Sequence, residues 1–394
     1  MKKSLAACVA IVALLALAVS RRVPRPLDRA VAAVMTRGWP GVAVLVETAD
    51  GTVETAAAGL ARIETNTPMT AASAFHMCSI NKTFTAVAIL RLVDQGRLSL
   101  DQRVVDILDQ AVVRRIPNVD RVTVAQLLEH ASGIYPTNND PDYLRTLIGS
   151  EAFTRRVWRS EEMVELATLP ANKPVAAPGD GHHYSDTNYI LLGMIVERVS
   201  GESYRTHVTR TILTPLRMSA TYFFSDVLEG RRAPSPSVAN GYIRLTQSVT
   251  EAVAFNLGFK SPRAGWLNTS EAAERVDAAG GLVTTLPDLA LFASALFHGR
   301  LLSEKSQSFL VAVEREMAAA KVADRQTRTL QGAVTSFGFV LYKEGDGPSG
   351  FNTLMAYHPS SGTVFVGFTN EFGSFDEVET LMSDVMRAAV PPPR

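Results

Sequence analysis

Apolar positions change rhythm along the chain, and the changes mark its elements. Leu27 to Trp39 spaces its apolar residues as a short helix. Gly41 to Glu47 runs almost continuously apolar, and Thr52 to Gly59 follows after Asp50-Gly51, a dipeptide suited to a tight hairpin. Ser79 to Gly96 returns to helical spacing through Phe84, Val87, Ile89-Leu90 and Val93, and Gly96 stops it. Val124 to His130 predicts a helix opened by Thr123, and Tyr189 to Val199 one stopped by Gly201. Leu286 to Phe297 predicts another, with Thr285 as cap and Pro287 in the first turn. Phe337 to Tyr342, Phe351 to Tyr357 and Thr363 to Thr369 then read as strands, and Ser374 to Val390 as a closing helix. Strands thus sit at both chain ends and helices between them. The economical arrangement is α/β (α+β): one antiparallel sheet built from both ends, flanked by helices, with a large helical insertion beside it. The sheet part is expected at about 27–70 and 280–394 and the helical part at about 71–279.

Lys2 and Lys3 precede an apolar run from Leu5 to Val19, which fits a secretory signal or an N-terminal anchor over residues 1–20. Arg21, Arg22 and Arg25 follow at once and oppose translocation, which keeps an uncleaved anchor as the alternative to cleavage. Most of the apolar stretch comes after Cys8 instead of before it, so lipidation is not expected. The protein is expected to be exported, periplasmic or secreted. Once the leader is removed, Cys78 is the remaining cysteine and no internal disulfide can form.

Composition narrows the classes. Of 394 residues, 46% are apolar and 20% charged, as in a globular protein rather than a disordered one. Lys+Arg and Asp+Glu are both 39, so the basic surface that nucleic-acid binding needs is not expected. Two cysteines are too few for a multi-cysteine zinc site or a disulfide scaffold. No Walker loop, zinc-protease helix, dinucleotide fingerprint or G-x-S-x-G elbow is present.

Ser79-Ile80-Asn81-Lys82 stands where the first long helix begins. A serine and a lysine three apart share a helical face, so the ammonium reaches the hydroxyl, and a helix N-terminus favours negative charge on the serine oxygen. The spacing alone is also met by a capping serine and a solvated lysine. The surrounding segment, Phe75 to Ala86, resembles the active-site helix of the serine β-lactamase-like superfamily, which holds class C β-lactamases, D-Ala-D-Ala carboxypeptidases, D-aminopeptidases and esterases. The resemblance continues in order through Val93 to Asp101, Val122 to Gly133, Pro178-Gly179, Tyr184 to Tyr189 and Gly280 to Thr285, and spans Gly41 to Asn370.

This resemblance implies a β-lactamase/transpeptidase-like fold and a serine hydrolase that needs no cofactor or metal. Its substrate would be a small molecule or peptide with a peptide, lactam or ester carbonyl. Ser79 would be the acylated nucleophile, Lys82 would help deprotonate it, and the Ser79 N–H would form half of an oxyanion hole. Tyr184 would act as base or proton relay, with its phenol pKa lowered by nearby cations. Asp186 stands where the strict Tyr-x-Asn form has Asn; its anion would favour the Lys82 ammonium and leave Tyr184 a larger share. The family expects Lys-Thr-Gly or His-x-Gly before a Gly-Phe pair. Here Gly350-Phe351 is present, and Lys343-Glu344-Gly345 offers the nearest substitute, in a loop after the strand ending at Tyr342. Lys343 would supply the cation that anchors a substrate carboxylate. If that motif is lost instead, the chain is a weakened member acting as a binding or scaffold protein. Cys78 reads as a buried inert thiol, His130 as a support of the cleft, and His182-His183 lack a third ligand for a metal.

Overall fold

The structure is a computed structural model that describes residues 25–36, 38–147, 157–235, 237–245, 260–263, 265–272, 276–312, 324–326, 329–372 and 383–387. The expected leader at 1–20 lies outside them. Among the described residues no helix is long and apolar enough to cross a membrane.

Helix α1 (Pro26–Met35) opens the described chain. It starts one residue ahead of the expected Leu27, because Pro26 fills the first helical position, where its missing N–H costs nothing. It ends four residues before Trp39. The main sheet combines β1 (Gly41–Glu47), β2 (Val53–Arg62) and β3 (Thr67–Pro68) with strands from the far end of the chain. Gly51, at φ +82°, closes the β1–β2 hairpin. Strand β4 (Phe75–His76), a 3₁₀ turn at Cys78–Ile80 and helix α2 (Asn81–Asp94) follow. Helix α3 (Val124–Leu128) begins at a capping box in which Thr123 and Gln126 bond each other's backbone N–H. Helix α4 (Asp186–Ser200) stops at Gly201, which takes φ +77°.

Strand β5 (Tyr222–Phe223) pairs with β9 (Leu282–Thr284), which also pairs with β4. A second small sheet holds β6 (Tyr242–Arg244), β7 (Lys260–Arg263), β8 (Trp266–Asn268) and the later β15 (Glu371–Phe372). Helix α5 (Leu286–Phe297) is capped by Thr285. Then come β10 (Asp324–Gln326), β11 (Gln331–Thr335), β12 (Gly338–Gly347), β13 (Phe351–His358) and β14 (Thr363–Thr369). The eight-stranded order is β10-β11-β12-β13-β14-β1-β2-β3, antiparallel throughout, so the two chain ends meet where β14 pairs with β1. Of the expected closing helix, residues 383–387 are described and are helical.

Both faces of the sheet are covered, which explains why β1 is apolar at consecutive positions instead of alternating. Val42, Val44 and Val46 point to one side with Leu27, Val31 and Val34 of α1, Phe365, and Val385 and Met386. Ala43 and Leu45 point to the other, with Val366, Phe368 and the helices. Phe84 of α2 stacks on Phe292 of α5 at 3.7 Å between ring centres. Residues Asn81 to Leu90 are buried on all sides of α2, so the helix that follows Ser79 runs through the interior. A well-packed helix gives the residues at its start little freedom.

One boundary departs from expectation and matters for the site. The strand expected to end at Tyr342 continues to Gly347. Lys343, Glu344, Gly345 and Asp346 therefore lie on β12 and not in a loop, with Lys343 opposite Met355 and Asp346 opposite Asn352. Strand β11 pairs only as far as Tyr342, so among the described residues 343–347 have a strand on one side alone. Their other edge faces the Ser79 turn.

Candidate active site

Three pieces of chain converge on Ser79. The first is the turn itself. Cys78 holds a left-handed backbone at φ +49°, an unfavourable conformation for a non-glycine residue, immediately before Ser79. The Cys78 thiol is buried, 3.7 Å from the His76 carbonyl and 3.6 Å from the Ser349 hydroxyl. One turn into the helix, Lys82 is wholly buried. Its Nζ donates to Ser79 Oγ at 3.0 Å and to the Ala279 carbonyl at 2.9 Å, and pairs with Asp186 Oδ1 at 2.8 Å. Two hydrogen-bond acceptors and an opposite charge thus surround the buried ammonium.

The second piece enters from the segment before α4. The Tyr184 hydroxyl is 2.7 Å from Ser79 Oγ. Lys82 Nζ lies 5.2 Å and Lys343 Nζ 5.5 Å from the centre of the Tyr184 ring. These cations do not lower the phenol as expected. Burial dominates and pushes Tyr184 up, above the ordinary tyrosine range; Lys82 opposes that shift and Asp186 adds to it. Tyr184 in the resting site is a neutral phenol. His130 supports it from behind, with ring centres 4.4 Å apart. His130 Nδ1 accepts from the Ser185 N–H at 3.2 Å and lies 3.2 Å from Asn188 Nδ2, which fixes the ring. Burial first, then the Lys343 charge, holds His130 well below the usual histidine range, so it is neutral. Ser132 donates to Asn188 Oδ1 at 2.5 Å and ties the same region together.

The third piece is β12. Gly345 passes so close to the Ser79 turn that a Cβ there would lie 2.7 Å from the Met77 carbonyl oxygen and 2.9 Å from the Ile80 nitrogen. Only glycine admits this approach. Thr353 of β13 donates into the same junction, its hydroxyl 3.1 Å from the Met77 carbonyl and 2.9 Å from that of Gly345. Lys343 is 2% exposed, and its ammonium borders the cleft beside Ser79 and Tyr184. Burial, then the Lys82 charge, pulls Lys343 down to about 8. Burial and neighbouring Glu344 push Asp346 up to about 6. The cleft has a volume of about 360 Å³; Ser79, Tyr184, Asp186, Lys343, Glu344 and Asp346 line it together with residues of the 138–144 segment.

The structure thus brings all five expected site residues, Ser79, Lys82, Tyr184, Asp186 and Lys343, to one cleft. His183 stays out of it and bonds the Asp180 carbonyl, while His182 lies edge-on to His130 and is pulled down to about 4 by burial and Lys343. Two participants escaped the sequence. The Ala279 carbonyl is a backbone group and leaves no residue signature, although Gly280-Gly281 beside it was a matched segment. Asp346 reads as a turn residue until its strand is known.

Comparison with known proteins gives this geometry its context. The family model described as Beta-lactamase matches residues 27–385. Penicillin-binding protein 4* of Bacillus subtilis is 27% identical over 194 residues, covering 49% of this chain and 39% of the relative. Penicillin-binding protein 4 of Amycolatopsis lactamdurans is 31% identical over 177 residues, covering 45% and 43%. The matches span about two fifths of the length of these relatives. Among solved structures, a D-stereospecific amidohydrolase from Streptomyces sp. superposes with a TM-score of 0.72 at 26% identity, covering 90% of this chain and 97% of that one. D-amino acid amidase from Ochrobactrum anthropi SV3 superposes with a TM-score of 0.75 at 22% identity, covering 92% and 97%, and shares the fold. With nearly all of its length matched by the family model and its fold shared, the chain belongs to the β-lactamase family.

Proposed function

We propose that this protein is a serine hydrolase that opens a peptide, amide, lactam or ester carbonyl through an acyl-enzyme at Ser79. The observation that carries the reading is the unbroken chain Asp186–Lys82–Ser79–Tyr184, with every link between 2.7 and 3.0 Å. Similarity to penicillin-binding proteins and to a D-stereospecific amidohydrolase supports the substrate class. Ser79 Oγ attacks the carbonyl carbon. Its proton passes to Tyr184 Oη while Tyr184 gives its own proton to the leaving amine or alkoxide. A neutral, burial-raised phenol suits this relay better than a free phenolate base. Lys82, paired with Asp186, stays an ammonium and stabilises charge on Ser79 Oγ as the proton leaves. The Ser79 N–H and the open backbone edge of β12 beside it receive the oxyanion. Water then repeats the relay on the ester, returning Ser79 and releasing the acid.

Lys343 completes the electrostatics. Its ammonium borders the cleft and anchors a carboxylate on the substrate. The alternative, a binding protein that has lost catalysis, gains nothing from keeping this connected set. Export, from Lys2, Lys3 and the apolar run Leu5 to Val19, remains part of the reading. A fluorophosphonate and a fluorescent penicillin, applied to wild type and Ser79→Ala, test it. Labelling of wild type and none of the variant is expected; equal labelling of both would refute the assignment.

A further inference from the structure

Strand β12 puts two carboxylates into the cleft. Glu344 and Asp346 stand two residues apart, so they share a face of the strand, and both border the cavity at Ser79. They are not equivalent. Glu344 Oε1 accepts from Gln331 Nε2 of β11 at 2.9 Å and is held in the sheet. The Asp346 carboxylate has no side-chain partner among the described residues, and burial and the Glu344 charge outweigh the attraction that Lys82 and Lys343 exert on it from a distance. Lys343 borders the same cavity, 2% exposed, and its ammonium has no hydrogen bond or ion pair among the described residues beyond its approach to the Tyr184 ring. Two unlike charges border one cleft without pairing to each other. Charges taken out of water carry a penalty unless opposite charge meets them. A ligand that brings only an anion relieves Lys343 and leaves Asp346 unmatched, and a ligand that brings only a cation does the reverse.

We propose that the cleft takes a zwitterionic dipeptide with both ends unblocked, Asp346 receiving the free α-ammonium on the acyl side and Lys343 the free carboxylate on the leaving side. The proposal rests on the reading of Ser79 as nucleophile and adds what the nucleophile cuts. Two residues extend at most about 7 Å, so both ends of a dipeptide stay within one small site and flank its single peptide bond. The cleft, at about 360 Å³, sits at the small end of ligand sites. The reaction balances without a co-reactant other than water. The Ser79 Oγ–carbonyl bond forms, the peptide C–N bond breaks, and the Ser79 proton leaves with the departing amine. Water then cleaves the ester to release the second amino acid. Blocking the N-terminus removes the charge Asp346 meets, and amidating the C-terminus removes the charge Lys343 meets.

The test uses alanyl-alanine in its D,D and L,L forms, each as the free dipeptide, the N-acetyl dipeptide and the dipeptide amide. Wild type is expected to give a kcat/KM for one free dipeptide at least about tenfold above both of its blocked forms. In Asp346→Asn the ratio of free to N-acetyl turnover is expected to fall to near one. A wild type that prefers the N-acetyl form, or a ratio that Asp346→Asn leaves unmoved, overturns the proposal. The wild-type comparison stands even if the variant does not fold. Fluorophosphonate labelling of Ser79 in the same preparation separates the two levels. A labelled enzyme without the preference refutes this proposal alone; an enzyme that is not labelled at Ser79 refutes it together with the serine-hydrolase reading.

Discussion

Two walls of one cleft are built on opposite principles. On the wall formed by α2 and the segment ahead of α4, the reacting groups have their partners: Lys82 meets Ser79, Ala279 and Asp186, and Tyr184 meets Ser79. On the wall formed by β12, Lys343 and Asp346 present charges that pair with no opposite charge among the described residues. The satisfied wall is preorganised, and its bonds need no rearrangement when a carbonyl arrives. The unsatisfied wall stays costly until a ligand completes it. Chemistry and recognition are thus divided between a helix start and a strand edge, joined at Gly345.

That junction gives the largest effect for separating the walls. Gly345→Ala forces a Cβ to within 2.7 Å of the Met77 carbonyl oxygen and pushes β12 off the Ser79 turn. We expect it to lower kcat/KM by about 100-fold, the scale of losing an oxyanion-hole donor, and to cost about 1–3 kcal/mol in denaturant unfolding. Activity within a few-fold of wild type would mean that β12 contributes nothing to the oxyanion.

Lys343→Ala acts mainly on the unsatisfied wall, its ammonium also lying 5.5 Å from the Tyr184 ring centre. It should raise KM about tenfold for substrates with a free carboxylate and much less for neutral esters. The pH profile carries the same information. Burial has pulled Lys343 down to about 8, so its ammonium is present below that pH and is lost above it. Wild-type kcat/KM for carboxylate substrates should fall as pH rises through about 8, and the variant should lack this limb. An identical limb in the variant would assign it to another group.

Asp186→Asn acts on the satisfied wall. It removes the anion 2.8 Å from Lys82 and leaves an amide able to hold the same position. Steady-state rates near neutral pH should be kept or raised, because a lysine released from its carboxylate can share proton transfer with Tyr184. A large loss at every pH would give the carboxylate a role of its own.

The smallest effect is thermal. Asp346 is raised to about 6, so ionisation weakens the fold: the carboxyl is neutral and harmless below its unfolded value of about 4, and the penalty develops as pH rises through about 6. Asp346→Asn should raise Tm at about pH 8 and change it little at about pH 4. A fall on the alkaline side would mean that the carboxylate is already satisfied.

The same division explains what the sequence disclosed. Ser79, Lys82, Tyr184 and Asp186 stand in short segments that follow one another in the order of the resemblance, and they were legible although their contacts mostly join distant parts of the chain. Of the β12 wall, Lys343 was read as the cleft cation but was placed in a loop, and the rest was not read. Lys343, Glu344 and Asp346 place charge on both faces of the strand and Gly345 interrupts it, so apolar alternation stops at Tyr342 although pairing with β13 continues to Gly347. Strand identity there comes from a partner and from the turn it abuts, which local pattern does not record. The Tyr184 shift also escaped, because two nearby cations suggest a lowered phenol and burial, with Asp186 adding to it, reverses the sign. The sheet itself was readable from β1, β13 and β14, whose apolar runs need cover on both faces.

Every step in the cleft depends on Ser79 carrying the acyl group. Intact-protein mass spectrometry during turnover, followed by peptide mapping, detects that group where it forms. A transient adduct of one acyl mass is expected on the peptide containing Ser79 and not in Ser79→Ala, whose hydrolysis rate falls by orders of magnitude while its unfolding midpoint barely moves. An adduct on Cys78 or Tyr184, or undiminished hydrolysis by purified Ser79→Ala protein, would contradict it.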